Sequence, residues 1–452
     1  MKLSEHLQTI SRISFLLFFI VGLQLRISLG SRLIVTYPIL TISFREKYYL
    51  IVALLIIILL ISVLTAAAGW MFDISSRRWF WKPHIIIIPI FALNLLALIR
   101  SWPVLSLSAI VILVGCIALF WGTYFYCLLN WPEEWAINAF AVVASINGIV
   151  AVIQFLLQRS IGLYFLGEGT SLDPQMSGVS VIDAAGDRWL RSYGLLSHPN
   201  ILGGIMSISL LICMGALMEE PGRKRWLWIA VAAASLGLFL SFSRAAWIGA
   251  VLGLLYLAVT ARVWRIICWH DKRIRWVLVA ALLVLVFIGL IFGELIEMRL
   301  WLSDSVSILE MNSINERLRD LGQAWMLIRN QPLIGVGTGN YIQALETWSQ
   351  KSGLDYIAFQ KVHNVPLLLA AELGLAGAVL WLWMIILPVY QLTKSAYKKP
   401  VRPTRAGLSA AFLTLFVVGM LDLYLYPFIF SSALLMGVLC GIWTHNEAGE
   451  LK

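Results

Sequence analysis

The sequence predicts an all-α polytopic membrane protein with about 12 transmembrane helices and two long extracytoplasmic loops, the second of them partly helical. Of its 452 residues 60% are hydrophobic and 13% charged, where a soluble domain carries roughly a quarter charged residues. Mean hydropathy is +0.86. The basic residues behind the net charge of +10 fall between apolar runs, as the positive-inside bias of membrane proteins requires. No nucleic-acid partner is expected.

Length in such a chain counts spans, because each helix uses about 20 apolar residues to cross about 30 Å of hydrocarbon. Runs of that kind lie near 13–30, 49–68, 84–99, 104–128, 135–157, 199–217, 226–242, 245–262, 276–293, 364–392, 407–424 and 426–443. The first, from Ile13, closes on Gln24 and Arg26 instead of a small-residue cleavage site, so it reads as an uncleaved span. The stretch 31–44 is apolar but short and broken by Pro38; it is expected to be interfacial. Cys116, Cys127, Cys213, Cys268 and Cys440 lie in or beside apolar runs, a distribution that implies neither a disulfide framework nor a zinc site.

Four short basic segments set the orientation: Arg77 to Lys82, Arg223 to Arg225, Arg262 to Arg275 and Lys394 to Arg405. All fall on one side, hence the cytoplasm. The chain then divides into transmembrane helices 1–5 (1–157), a first extracytoplasmic loop (158–198), helices 6–9 (199–293), a large extracytoplasmic loop (294–363), and helices 10–12 with a cytoplasmic tail (364–452). Ser243-Arg244 and the turn from Asp422 to Pro427 share the outer face with the two loops.

The first loop is rich in Gly, Ser and Asp and shows no sustained period, which predicts an irregular surface segment with at most a short helix. It ends in Arg191-Ser-Tyr-Gly-Leu-Leu-Ser-His198-Pro199-Asn200, and Pro199 and Asn200 suit the first turn of the sixth helix. In the second loop Leu318, Leu321, Trp325 and Ile328 recur at helical spacing. That predicts a helix over 314–328, with Arg317 and Asp320 off this stripe. Gln331-Pro332 stops the helix. Gly335-Val-Gly-Thr-Gly339 is a turn and not a nucleotide loop, since no strand precedes it and no Gly-Lys-Ser/Thr follows.

His363 stands where the second loop meets the tenth span, with Asn364 placed to cap the helix and Pro366 in its first turn. At 100° per residue His363, Leu367, Ala370, Gly374 and Gly377 share one face, a small-residue packing seam with an imidazole at its mouth. A helix N-terminus disfavours the imidazolium ion, so an imidazole there is suited to accept a proton. The plainer alternative is an interfacial histidine that helps to cap the helix. Arg244, Arg191 and Arg317 present guanidinium forks on the outer side, a chemistry that fits a diphosphate. Singly, each also reads as a snorkelling or solvated charge. Asp422 closes the eleventh span, and an ionisable group there is a functional candidate or an arginine's partner. Asn364, His198 and Asn200 are candidate supporting residues. No Asp-x-Asp or Glu-x-Asp pair occurs, so a metal-held diphosphate has no obvious carboxylate ligands. No metal site or cofactor is expected.

Together the spans, Ser-Arg244-Ala-Ala-Trp, the Asn315-Glu-Arg317-Leu helix with its later Pro-x-x-Gly-x-Gly turn, and His363-Asn364-(nine residues)-Gly374-x-x-Gly377 resemble the O-antigen ligase and polymerase superfamily. The resemblance covers about 190–430, and the histidine motif, its most specific part, matches the family pattern without a departure. It implies transfer of glycan from a polyprenyl-diphosphate carrier to an acceptor sugar hydroxyl, such as one on a lipid-A core, without a metal and with inversion. The place implied is the outer, periplasmic or extracellular face of the cytoplasmic (inner) membrane. The resemblance carries the diphosphate clamp onto Arg244 and Arg317 and the acceptor-deprotonating base onto His363. The partners it implies are the lipid-linked donor, a glycan or lipid-A core acceptor, and membrane lipids. A ligase and a polymerase differ only in acceptor, and the sequence admits both. Some proteins that look like this superfamily are assigned to bicarbonate uptake; the intact histidine motif counts against a transporter.

Overall fold

The computed structural model describes residues 2–24, 26–28, 34–36, 85–101, 107–169, 172–184, 187–219, 226–261, 297, 308–352 and 359–450. The expected spans at 49–68 and 276–293 lie outside the described residues, as does Cys268. Within them the helices run α1 (Lys2–Gln24), α2 (Ile87–Ser101), α3 (Leu107–Asn130), α4 (Glu133–Leu157), α5 (Pro199–Glu219), α6 (Trp226–Leu240) and α7 (Arg244–Thr260). After these come α8 (Ile308–Asn330), α9 (Tyr341–Ser352), α10 (Val365–Leu373), α11 (Leu375–Lys398), α12 (Pro403–Leu421) and α13 (Phe430–Glu450). Among the described residues strands occur only as two antiparallel pairs. In one, β1 (Arg26–Ser28) meets β2 (Ile34–Thr36). In the other, β3 (Val181–Ala184) meets β4 (Asp187–Leu190) and gives the first loop a hairpin that its composition does not announce.

Among the described residues six helices, α1, α3, α4, α5, α11 and α12, are long and apolar enough to cross a membrane. The chain is a multi-pass membrane protein. Its centre is the pair α5 and α12, whose apolar windows are 83% and 78% buried where the other four reach at most 56%. Glycines allow this. A Cβ at Gly215 would fall 2.5 Å from the Pro403 carbonyl oxygen and 3.1 Å from the Gly407 Cα, so the two backbones touch. Hydrocarbon gives helices no hydrophobic reason to associate, and close backbone approach supplies dispersion instead. At one end of the pair Arg402 donates to Glu219 on α5 (2.8 Å) and to Glu133 on α4 (2.9 Å), which ties three helices together. At the other end Asn200, in the first turn of α5, meets Asp422 at the end of α12.

One expectation about helices is corrected and another is refined. The tenth span is not one helix: the chain breaks at Gly374, where φ is +75°, and separates α10 from α11. The supposed common face of His363, Ala370, Gly374 and Gly377 therefore does not continue across the break. The helix expected over 314–328 is present within α8, and of its apolar stripe only Ile328 is buried. Leu318, Leu321 and Trp325 are exposed, whereas Asp320, Ala324, Leu327 and Ile328 are buried. The buried side of α8 is a row that contains a carboxylate.

Candidate functional site

The break at Gly374 is built jointly with the turn that follows α8. The last carbonyls of α10 have no partners within their own helix, and the turn supplies them. Val336 N–H donates to Ala371 O (2.9 Å) and Gly337 N–H to Glu372 O (2.8 Å), while Leu375 N–H, opening α11, returns to Pro332 O (2.8 Å). Gly335 and Gly337 have φ of +66° and +94°, a region that residues with a Cβ seldom occupy. The Pro-x-x-Gly-x-Gly turn and the glycine of the histidine motif thus form one lock, and that lock fixes the start of α10 relative to α8.

At that start Asn364 is the N-cap, accepting from Leu367 N–H at 2.8 Å, as the sequence predicts. Its amide also donates to Met420 O (2.8 Å), which pins the mouth of α10 to the last turn of α12. His363, immediately before the cap, is half-buried with 28% of its side chain exposed. Its Nδ1 lies 3.6 Å from Oδ2 of Asp320 on α8. Asp320 itself is fully buried. Arg317 lies one turn earlier on the same helix, half-buried, and no ion pair joins it to another described residue.

A second group sits around the N-terminus of α5. Arg191 is buried; its Nε donates to Ser241 O (2.9 Å) and a terminal nitrogen donates to Oδ1 of Asn200 (2.5 Å). The Asn200 amide donates onward to Oδ2 of Asp422 (2.7 Å), the C-cap of α12. Asp422, expected to find an arginine, reaches Arg191 through Asn200. His198 accepts at Nδ1 from Asn200 N–H (3.1 Å), so its Nε2 carries the proton and faces the Ser180 hydroxyl (3.2 Å). Both of its ring nitrogens are engaged. Arg244 opens α7 two residues after Phe242, whose φ is +47°. The Ser241-to-Ser243 turn that delivers it packs on Gly203 of α5, where a Cβ would fall 2.7 Å from the Ser241 hydroxyl.

The end of α12 links the two groups: Met420 carries the α10 contact and Asp422, two residues later, carries the α5 contact. Around His363 the structure adds residues that sequence reasoning misses. Glu372 is fully buried and accepts from the Tyr426 hydroxyl. Lys361 lies 5.5 Å from the centre of the Tyr426 ring. Tyr341 of α9 is buried with its hydroxyl 3.5 Å from the Asp320 carbonyl; burial, then the charges of Asp320 and Glu372, push its phenol above the ordinary range. A lone glutamate inside an apolar run is the available signal for Glu372. Its partner Tyr426 lies too far along the chain for any local pattern to show the pairing.

No curated protein matches the chain. Residues 229–382 match the family model described as O-antigen ligase, a segment that begins in α6, ends in α11, and contains Arg244, Arg317, both glycine turns and His363. Over that segment, about a third of its length, the chain is similar to the O-antigen ligase family.

Proposed function

We propose that the protein transfers a glycan from a polyprenyl-diphosphate carrier to an acceptor sugar hydroxyl on the outer face of the cytoplasmic membrane, as a ligase. The observation that carries this reading is the seating of His363 against α8, the helix that also presents Arg317. A base and a diphosphate-binding fork are then held by the same two elements. The acceptor oxygen attacks the anomeric carbon from the face opposite the diphosphate, His363 takes the hydroxyl proton, and the anomeric C–O bond breaks with its electron pair leaving on the diphosphate. Configuration inverts. Arg317 and Arg244 neutralise the departing charge, as preorganised donors do best. Arg191, whose Nε and one terminal nitrogen are committed to Ser241 and Asn200, braces the α5 end of the site. The isoprenoid tail stays in lipid, and the diphosphate bond it carries supplies the driving force without nucleotide.

The test is product sizing. Purified protein is incubated with a polyprenyl-diphosphate oligosaccharide, with and without lipid-A core. Glycan moved to the core is the expected result, and His363→Ala removes it while the protein stays in the membrane, since a general base contributes about 10² to 10⁴ in rate. His198→Ala, whose ring is already spent on Ser180 and Asn200, is milder. A lengthened carrier-bound ladder makes the acceptor a second lipid-linked repeat and the enzyme a polymerase. Solute uptake into vesicles with no glycan product abandons the enzyme reading.

A further inference from the structure

We propose that Asp320 is a positioning residue for this reaction: its carboxylate holds the Nδ1–H of His363, aims Nε2 at the acceptor hydroxyl, and stabilises the imidazolium that forms. The proposal rests on the reading of His363 as the base. Three observations carry it. Asp320 is fully buried, its Oδ2 lies 3.6 Å from His363 Nδ1, and among the described residues neither carboxylate oxygen nor that Nδ1 has a hydrogen-bond partner. A carboxylate taken out of water and left unpaired is strongly disfavoured. The imidazole is the group set against it.

The other charged and titratable groups of this neighbourhood are differently engaged. Tyr341, from α9, directs its hydroxyl to the backbone carbonyl of Asp320 and not to its carboxylate. Glu372, from α10, is bonded to Tyr426. Lys361 lies over the Tyr426 ring and its charge acts on Glu372. Arg317 precedes Asp320 by one turn on α8, and Arg319 is exposed. The 3.6 Å separation is an ion-pair distance and not yet a hydrogen bond; such contacts often tighten only when substrate is bound.

The proton balance is simple. Neutral His363 carries its hydrogen on Nδ1, toward Asp320, and offers the Nε2 lone pair. As the acceptor oxygen bonds to the anomeric carbon, its proton passes to Nε2 and the diphosphate leaves with the C–O electron pair. Asp320 stays ionised beside the imidazolium and takes no proton. Because Asp320 and Arg317 share one helix, the element that holds the leaving group also sets the tautomer of the base.

Asp320→Asn keeps the size of the side chain and loses the charge. The expected result is a KM for the lipid-linked donor within about threefold of wild type and a kcat lower by about 10² to 10⁴, with part of the loss recovered by Asp320→Glu. Added to His363→Ala, Asp320→Asn causes no further loss. A kcat within about threefold of wild type for Asp320→Asn, with His363→Ala inactive, overturns the proposal and leaves the base reading intact. An active His363→Ala removes both. Where Asp320→Asn does not accumulate in the membrane, the wild-type protein decides by ¹⁵N spectroscopy of labelled histidine, with His363 assigned from His363→Gln. A proton on Nδ1 of the neutral ring supports the proposal, and one on Nε2 with a bare Nδ1 overturns it.

Discussion

Gly335 and Gly374 lie back to back: a Cβ on Gly335 would fall 2.6 Å from the amide nitrogen of Gly374 and 2.5 Å from the Glu372 carbonyl oxygen. Both have positive φ, +66° and +75°. Any side chain at either position meets backbone on the facing segment, which has no flexible end to move aside, and adds the strain of a left-handed residue.

Gly374→Ala and Gly335→Ala are therefore expected to lose about 2 kcal/mol or more of stability each, read as a lower melting midpoint in detergent. Transfer activity falls with them, because the lock that sets α10 against α8 also places His363. Gly322, whose added Cβ meets nothing within 4 Å, tolerates alanine at α8 with unchanged melting. Equal behaviour of Gly322→Ala and Gly374→Ala counts against the lock.

The link from Arg191 through Asn200 to Asp422 has a direction. Arg191 can only donate, so it fixes Oδ1 of Asn200 toward itself and turns the amide nitrogen toward Asp422. Asn200→Asp sets a second carboxylate against Asp422, and the expected cost is about 1 to 3 kcal/mol in the melting midpoint. Combining it with Asp422→Asn restores the order, because the carboxylate then on α5 accepts both from Arg191 and from the amide then at the end of α12. The double variant is expected to melt higher than Asn200→Asp alone. If the two losses simply add, the relay does not act as a unit.

What the sequence discloses depends on the range of the signal. Apolar runs and their caps are local, so α5 is expected with Pro199 and Asn200 in its first turn, and Asn364 is expected as the cap it is. The facing of α8 is not legible in the sequence, because of the stripe Leu318, Leu321, Trp325 and Ile328 only Ile328 is buried. Here Leu318, Leu321 and Trp325 point outward, and Leu333 and Ile334 beyond the helix are exposed as well. Gly374 looks like a packing seam because glycines at helical spacing are common in membrane helices; its φ depends on Leu333 and Gly335, which arrive from the turn after α8. Asp320 carries no signal of its own. Its importance comes from His363, which a separate segment brings to it.

The basic segments predict a sidedness that labelling can test. In a cysteine-free background a cysteine at Gln350, exposed near the end of α9, is expected to react with an impermeant thiol reagent in intact spheroplasts. One at Lys398, exposed at the end of α11, is expected to react only after lysis. The reverse pattern would put the His363 side of the protein in the cytoplasm, where the proposed acceptor is absent.

The arginines separate a clamp from a snorkelling charge. Arg317 is half-buried on α8 and joined by an ion pair to no other described residue, and Arg244 heads α7 on the turn packed against Gly203. If they hold the leaving diphosphate, the planar fork matters as well as the charge, and lysine is a poor replacement; at a headgroup-level site lysine serves nearly as well. Arg317→Lys and Arg244→Lys are each expected to lose most of the transfer activity, on the order of tenfold or more, with melting unchanged. Arg191→Lys is expected to lose stability too, since Arg191 is buried and bonded to Ser241 and Asn200. Arg159→Lys, a charge just beyond α4, is tolerated. EDTA is expected to have little effect, because the sequence offers no carboxylate pair of the usual kind for holding a metal against the diphosphate. Near wild-type transfer by both clamp variants, or full inhibition by EDTA reversed by magnesium, would assign the diphosphate to other groups.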